Sequence, residues 1–143
     1  MKPELNGPYW ALRLGIGLTA FLAGVDKFAR LLAPWDMYLN PLALSRLPIG
    51  ADAFMRIVGS VEVAVGIAIL SGWTRLGGYV ASAWLLAIAL NLVSMGQFFD
   101  VAVRDVGLSI AAFTLARLAE VREPDPAREA LQAPADRPIR TRA

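Results

Sequence analysis

The residues of this chain that could do chemistry are ionisable side chains that interrupt long apolar stretches. They are Arg13, Asp26, Lys27, Arg56, Glu62, Arg104 and Asp105, with Asn91 as a further polar group. A charge at the centre of a membrane-spanning helix costs about 2.5–3.5 kcal/mol on insertion scales, so such residues are usually paired or functional. Carboxylates, lysine and arginine in that setting can hold a polar head group or relay a proton.

Several other kinds of chemistry are excluded by composition. The 143 residues include no cysteine and no histidine. Disulfides, thiolate metal sites, cysteine-ligated clusters, histidine-ligated haem and imidazole proton shuttles are therefore all absent. Any reaction must depend on carboxylates, lysine, arginine, hydroxyl groups or a bound cofactor, and no metal site is expected.

The composition is that of a membrane protein rather than of an average soluble domain. Hydrophobic residues make up 57% of the chain and charged residues 18%, and the mean hydropathy is +0.52, all of which are unusual for a soluble domain. The net charge is only +2, and many of the arginines lie in the last quarter of the chain. Nucleic acid is therefore not an expected partner.

Four stretches are long enough to cross a bilayer, which takes roughly 20 apolar residues at about 1.5 Å each. They cover residues 9–33, 53–71, 76–95 and 101–119. They predict an all-α, membrane-spanning, antiparallel four-helix bundle over residues 1–119. Residues 120–143 are predicted to form a polar, Pro/Arg-rich cytoplasmic tail. The proline-containing run PWDMYLNPLALSRLPIG after the first stretch is predicted to be a short interfacial segment.

The distribution of lysine and arginine predicts that both termini are cytoplasmic. In that orientation the outer connections hold only Arg30 and Arg46, whereas the inner segments hold Lys2, Arg75, Arg122, Arg128, Arg137, Arg140 and Arg142. Cytoplasmic loops carry an excess of these residues in membrane proteins. The expected location is therefore the cytoplasmic (inner) membrane, with several spans and with Trp35 and Tyr38 at the outer interface.

Counting residues from the span ends places most of the intramembrane charges at one depth, in the outer half of the membrane. The set is balanced, with cations Lys27, Arg56 and Arg104, anions Asp26, Glu62 and Asp105, and Asn91 nearby. Helical spacing puts Arg13 and Lys27 on one stripe of small residues, and it puts Glu62 between two glycines, Gly59 and Gly66. These patterns predict a polar pocket near the outer leaflet on which four helices converge.

Two interpretations of this pocket remain open. Glu62 with Lys27 or Arg104 could be an interhelical ion pair that only fixes the register of the bundle. Alternatively, the cluster could bind a polar head group, a proton or a substrate, as intramembrane ionisable residues commonly do. Glu62 is the best single candidate for a functional residue because it is the deepest carboxylate.

Several motifs resemble the DoxX-like family of small four-span membrane proteins. They are LRLGIGLTAFLAGVDKF, VGSVEVAVGIAIL, WLLAIALNL and FDVAVRDVGLSIAAFTLARL, which together cover roughly residues 9–118. The glutamate between glycines and the VRD before an apolar helix are the most specific of them. The resemblance implies a four-helix integral membrane bundle that acts with partner proteins. The best-known members are subunits of a thiosulfate:quinone oxidoreductase, and others are associated with oxidative-stress complexes.

The function expected from these observations is that of a small membrane subunit contributing a head-group pocket to a redox-associated complex. It would be an accessory subunit rather than an enzyme by itself, with no covalent cofactor and a quinone as the expected ligand. Lys27 and Glu62 would contact the head group or relay a proton, Arg104 and Asp105 would lie at the pocket mouth, and Asn91 would donate or accept a hydrogen bond. The expected partners are the lipid bilayer and either another protein or further copies of this chain.

Two alternatives belong to other functional classes. One is a non-catalytic scaffold or anchor that docks a partner protein through the proline-containing segment. The other is a transporter of a small solute or lipid. The transporter hypothesis is weakened because the sequence lacks matched halves with interrupted helices, which are typical of secondary transporters.

Overall fold

The regular structure of this chain is entirely helical over residues 3–46 and 48–122, which are the residues that the computed structural model describes. The four long helices are α1 (Asn6–Ala29), α3 (Ala51–Ser71), α4 (Thr74–Ser94) and α5 (Phe99–Arg122), and α2 is a single turn at Pro41–Leu44. Short 3-10 turns lie at Pro3–Leu5 and Trp35–Tyr38. The predicted all-helical class is confirmed for these residues.

Three of the long helices are long and apolar enough to cross a membrane. They are α1 with its preceding turn (Pro3–Ala29), α3 and α4. The fourth predicted span, residues 101–119, corresponds to α5, which does not reach the same standard. Its charges are the reason, because α5 carries Asp100, Arg104, Asp105, Arg117, Glu120 and Arg122.

The outward faces of all four long helices carry large apolar side chains, as contact with lipid requires. Examples are Leu18 and Leu22 on α1, Ile57 and Ile67 on α3, Leu86 and Leu90 on α4, and Ile110 and Phe113 on α5. A soluble monomer rarely exposes so much contiguous apolar surface. The surface therefore agrees with the membrane class predicted from composition.

The helix limits differ from the predicted spans by up to four residues, and two of these differences lie at the ends of α1 and α5. Helix α1 ends at Ala29 and not at residue 33, because Arg30 adopts a left-handed conformation (φ 56°) and donates its backbone N–H to the Asp26 carbonyl. Helix α5 continues to Arg122, beyond the predicted boundary at residue 119. The rest of the predicted tail, residues 123–143, lies outside the described residues.

Helices α1 and α3 pack so closely that their backbones touch at glycines. A Cβ atom added to Gly24 would lie 2.7 Å from the Gly59 carbonyl oxygen, and one added to Gly59 would lie 2.7 Å from the Gly24 carbonyl oxygen. Further along, Gly66 faces Phe21, and Gly17 faces Leu70. The two helices therefore run in opposite directions, with the small-residue contact that is common between helices in membranes.

Helices α4 and α5 form the second closely packed pair. Gly78 contacts Ala112 and Ala116, and the hydroxyl groups of Ser82 and Ser109 lie 3.1 Å apart. The two pairs meet over a buried core that includes Ile16 of α1, Ile69 of α3, Ala81 of α4 and Leu115 of α5.

Polar contacts hold the end of the molecule that is opposite the predicted pocket. Arg13, which the sequence places on the same stripe as Lys27, donates to the carbonyl oxygens of Ile69 (2.9 Å) and Leu70 (2.8 Å). These carbonyls belong to the last turn of α3, where backbone acceptors have no partner within the helix. Arg13 therefore serves the end of α3 and not the pocket.

The close approach of α1 and α3 can be tested with Gly59→Ala. We expect this change to destabilise the protein by about 1–3 kcal/mol, because the new methyl group would lie 2.7 Å from the Gly24 carbonyl oxygen, a backbone atom that no rotamer change can move. Thermal unfolding followed by circular dichroism in detergent would measure the effect.

Gly107→Ala is the matched control, since nothing lies within 4 Å of a Cβ atom at that position. We expect it to leave the unfolding temperature unchanged or slightly higher, as alanine is the better helix former. Equal stability of the two variants would contradict the backbone contact between Gly24 and Gly59.

Candidate functional site

A cavity of about 550 Å³ lies between the four long helices, at the end where residues 30–50 join α1 to α3. Most of its lining is apolar, with contributions from every long helix. Trp35 and Tyr38 of the connecting segment cover it. The polar side chains of its lining outside the connecting segment are those of Thr19, Lys27, Glu62, Trp84, Asn91, Arg104 and Asp105.

The central polar feature is an ion pair between α1 and α3. The Lys27 Nζ atom lies 2.5 Å from the Glu62 Oε2 atom, and both residues are buried, at 5% and 8% exposure. The same Nζ atom lies 3.8 Å from the centroid of the Trp35 ring, a cation–π distance. The pair is thus enclosed by protein, where one charge compensates the other.

Asn91 holds the connecting segment onto α4. Its Nδ2 atom donates a 2.8 Å hydrogen bond to the Tyr38 carbonyl oxygen, and Asn40 donates to the Ser94 hydroxyl at 3.0 Å. The Tyr38 ring also packs edge-on against Phe98, at 4.9 Å between centroids. These contacts fix the cover of the cavity from the α4 side.

Arg104 and Asp105 both line the cavity from α5 but differ in surroundings. The Arg104 side chain is 70% exposed, and its guanidinium lies 3.6 Å from the Asp100 carboxylate, one turn earlier on the helix. Asp105 is half-buried and has no hydrogen bond or ion pair with any residue in the described part of the chain. Arg104 is therefore directed towards solvent and Asp100, whereas Asp105 keeps its acceptor capacity.

Asp26 was predicted to belong to the pocket, but it is not among the residues that line the cavity. Its buried carboxylate accepts hydrogen bonds from the backbone N–H groups of Leu31 (2.8 Å) and Leu32, and from the Trp35 indole N–H (2.8 Å). Asp26 neighbours Lys27 in sequence, and a rotation of about 100° around α1 separates their side chains. Its role is to fold the chain after α1 and to fix Trp35 over the cavity.

Arg56 was also predicted to belong to the pocket, and it too lies elsewhere. Its side chain is 63% exposed and pairs with Asp52 at 3.0 Å, while Arg30 bridges Asp52 and Asp36. Arg56 precedes Glu62 by six residues, a position about 120° away around the helix. Arg56 and Glu62 were predicted to lie at a similar depth in the membrane, but their side chains project from different faces of α3.

The aromatic cover was not predicted from the sequence. Trp35 and Tyr38 were expected only to anchor the chain at the membrane interface, yet they line the cavity, and Trp35 contacts Lys27. The WDMY run that carries them is compatible with either role. Trp84 also lines the cavity, and its buried indole N–H has no hydrogen-bond partner among the described residues.

Comparison with known proteins gives no match: no family model, no curated protein and no solved structure is similar to this chain.

The Lys27–Glu62 pair can be tested by removing one partner and then both. We expect Glu62→Gln to destabilise the protein by about 3–5 kcal/mol, because it leaves a buried ammonium group without its counter-charge. Adding Lys27→Met to that variant should restore most of the lost stability, since no buried charge then remains. Chemical unfolding in detergent would measure both free energies.

A suitable control is Arg56→Gln, which removes an exposed charge from the same helix. We expect a change below about 1 kcal/mol, as is usual for exposed ion pairs. If Glu62→Gln were as mild as Arg56→Gln, Lys27 and Glu62 would not form a buried pair.

Proposed function

We propose that this protein is a small integral membrane subunit that holds the head group of an apolar ligand, a quinone or a similar molecule, for a redox-associated membrane complex. The observation that carries the proposal is the cavity: an apolar space of about 550 Å³ whose polar groups include a buried ion pair. Ligand pockets are commonly of this size and this mixed character. The motifs that resemble DoxX-like proteins led to the same expectation, although no family model matches the chain.

The proposal places the chain in the inner membrane as an antiparallel bundle of four spans with both termini in the cytoplasm. Three helices have the length and hydropathy for spanning. For α5 the support is that residues 106–116 carry no charge and that its exposed residues there, including Ile110 and Phe113, are apolar. Its charged residues lie towards the two ends, where long side chains can reach the interface.

In this placement the described part of the segment between α1 and α3 lies at the outer interface, and Ala33, Trp35, Tyr38 and Leu39 cover the cavity. The segment exposes Leu31, Leu32 and Leu42, which would enter the lipid, while Arg30, Asp36 and Asp52 form an ion-pair network in a more polar layer. An amphipathic ligand could reach the cavity from the bilayer with its head group at this level.

The division of roles follows from the contacts. Lys27 and Glu62 would form the polar floor that a head group meets, Asn91 keeps the cover in place, and Asp105 and Arg104, which line the cavity from α5, would lie at its mouth. The chain has no cysteine or histidine to bind a redox centre. We therefore propose an accessory subunit, with a partner protein supplying the redox chemistry.

A scaffold without a ligand is the second candidate, and one observation favours it. Lys27 and Glu62 compensate each other within the protein, so they need no ligand to be stable. In that case the exposed apolar residues of the connecting segment would dock a partner protein. Transport of a small solute or lipid is a weaker third candidate, because α1, α3, α4 and α5 are uninterrupted in the described residues, whereas secondary transporters typically bind substrate at interrupted helices.

Native mass spectrometry of the protein, extracted from its own membrane in mild detergent, would test the proposal. We expect a retained molecule of quinone size and a partner protein. Ala20→Phe would fill the cavity from α1, so it should remove the small molecule while the protein stays folded. Ala11→Phe is the control, because Ala11 is exposed on α1 outside the cavity.

Retention of the same molecule by wild type, Ala11→Phe and Ala20→Phe alike would place it outside the cavity and contradict the proposal. A stable partner protein without any small molecule would favour the scaffold instead.

A further inference from the structure

The polar groups of the cavity differ in whether their hydrogen-bonding capacity is already used. Asp105 has no partner for either carboxylate oxygen within the described chain. Glu62 uses only its Oε2 atom, with Lys27, and Asn91 uses only its amide nitrogen, with Tyr38 and Met95. Among the described residues, the unused acceptors are those of Asp105, Glu62 and Asn91, while the Thr19 hydroxyl and the buried Trp84 indole N–H are donors that also have no hydrogen-bond partner.

The donors of the cavity, by contrast, are mostly engaged or inaccessible. The Lys27 ammonium group lies between the Glu62 carboxylate and the Trp35 ring. Arg104 extends towards Asp100 and solvent, and the indole N–H of Trp84 is itself buried. A ligand that only accepts hydrogen bonds would therefore depend on the Thr19 hydroxyl, whereas a ligand that donates them would meet the unused carboxylate oxygens of Asp105.

The charges of the cavity lead to the same conclusion. Lys27 and Glu62 neutralise each other at 2.5 Å, and Arg104 has Asp100 as its nearest carboxylate. Asp105 is the charged group of the lining that has no ion pair in the described chain, and the charges of Arg104 and Lys27 act on it from a longer distance. In an apolar cavity a carboxylate whose oxygens have no hydrogen-bond partner attracts hydrogen-bond donors and cations.

We infer that the cavity selects a ligand whose head group donates hydrogen bonds, a hydroxyl or an ammonium group on an apolar body, and that Asp105 is the acceptor that recognises it. This inference rests on the proposed function, because it names the chemistry of the ligand for the same cavity. For a quinone-type ligand it means that the reduced form, whose ring oxygens carry hydrogens, binds more tightly than the oxidised form. Anionic ligands are disfavoured.

The test is a binding measurement on the full chain in lipid nanodiscs by isothermal titration calorimetry without oxygen, with empty nanodiscs as the blank. The first probe pair is a short-chain ubiquinol analogue and its oxidised quinone. The second pair is decylamine and decanoate, which share an apolar body and differ in head group. We expect the donor of each pair to bind at least about tenfold more tightly, the contribution of one charge-assisted hydrogen bond.

Asp105→Asn should bring the affinities of each pair close together, since it removes the charge and keeps the shape of the side chain. Asp52→Asn is the control, because it removes the same charge at the same end of the molecule, from a side chain outside the cavity. It should leave the preference intact. The preference of the wild-type protein also tests the donor chemistry if Asp105→Asn fails to fold.

The outcomes separate the inference from the proposed function. Binding of ubiquinol and quinone with equal affinity would overturn the inference and leave the head-group pocket in place. Binding of decylamine alone would support the donor chemistry and overturn the quinone as the ligand. A preference that survives in Asp105→Asn would overturn the role of Asp105, and failure of all four probes to bind would overturn both proposals.

Discussion

The backbone contact between α1 and α3 is the constraint on which the rest of this structure depends. Because Gly24 and Gly59 lack side chains, the two helices approach until their backbone atoms touch. That distance allows Lys27, one turn after Gly24, to reach Glu62, one turn after Gly59, and to form the buried ion pair. Larger residues at either glycine would separate the helices, and two buried charges would then lose the compensation that makes their burial tolerable.

The end of α1 determines how the cavity is covered. The left-handed conformation of Arg30 terminates the helix, and the Asp26 carboxylate then satisfies the backbone N–H groups of the residues that follow. The same carboxylate binds the Trp35 indole, which places the ring against the Lys27 ammonium group. One buried carboxylate thus connects the end of a helix, the path of the connecting segment and the environment of the ion pair.

The cavity differs from the rest of the interior because some of its polar groups have hydrogen-bond partners in the protein and others have none. The two helix pairs pack tightly around small residues elsewhere, as at Gly78 against Ala116. At the covered end they leave space, and there Asp105 retains both oxygens without a partner in the described chain. Structural ion pairs explain Lys27 and Glu62 without a ligand, but they do not explain Asp105. Asp105, and not the ion pair, is therefore the feature that points to a ligand in the cavity.

The sequence alone determined the helical class, the approximate helix limits and the charged residues whose burial in a membrane costs free energy. These could be read from the sequence because length, hydropathy and helical period are local properties. It also predicted that Lys27 and Glu62 share one depth. Only the tertiary structure decided that Asp26 and Arg56 lie outside the cavity, because depth does not specify the direction of a side chain around its helix. Only the tertiary structure showed that the Trp35 ring lies over the Lys27 ammonium group. The ring is held there by a hydrogen bond to Asp26, and no periodic pattern in the sequence relates these residues. The partner of each charged side chain depends on how the helices are rotated and how closely they approach. The glycine contacts that fix this arrangement join segments that are distant in the chain.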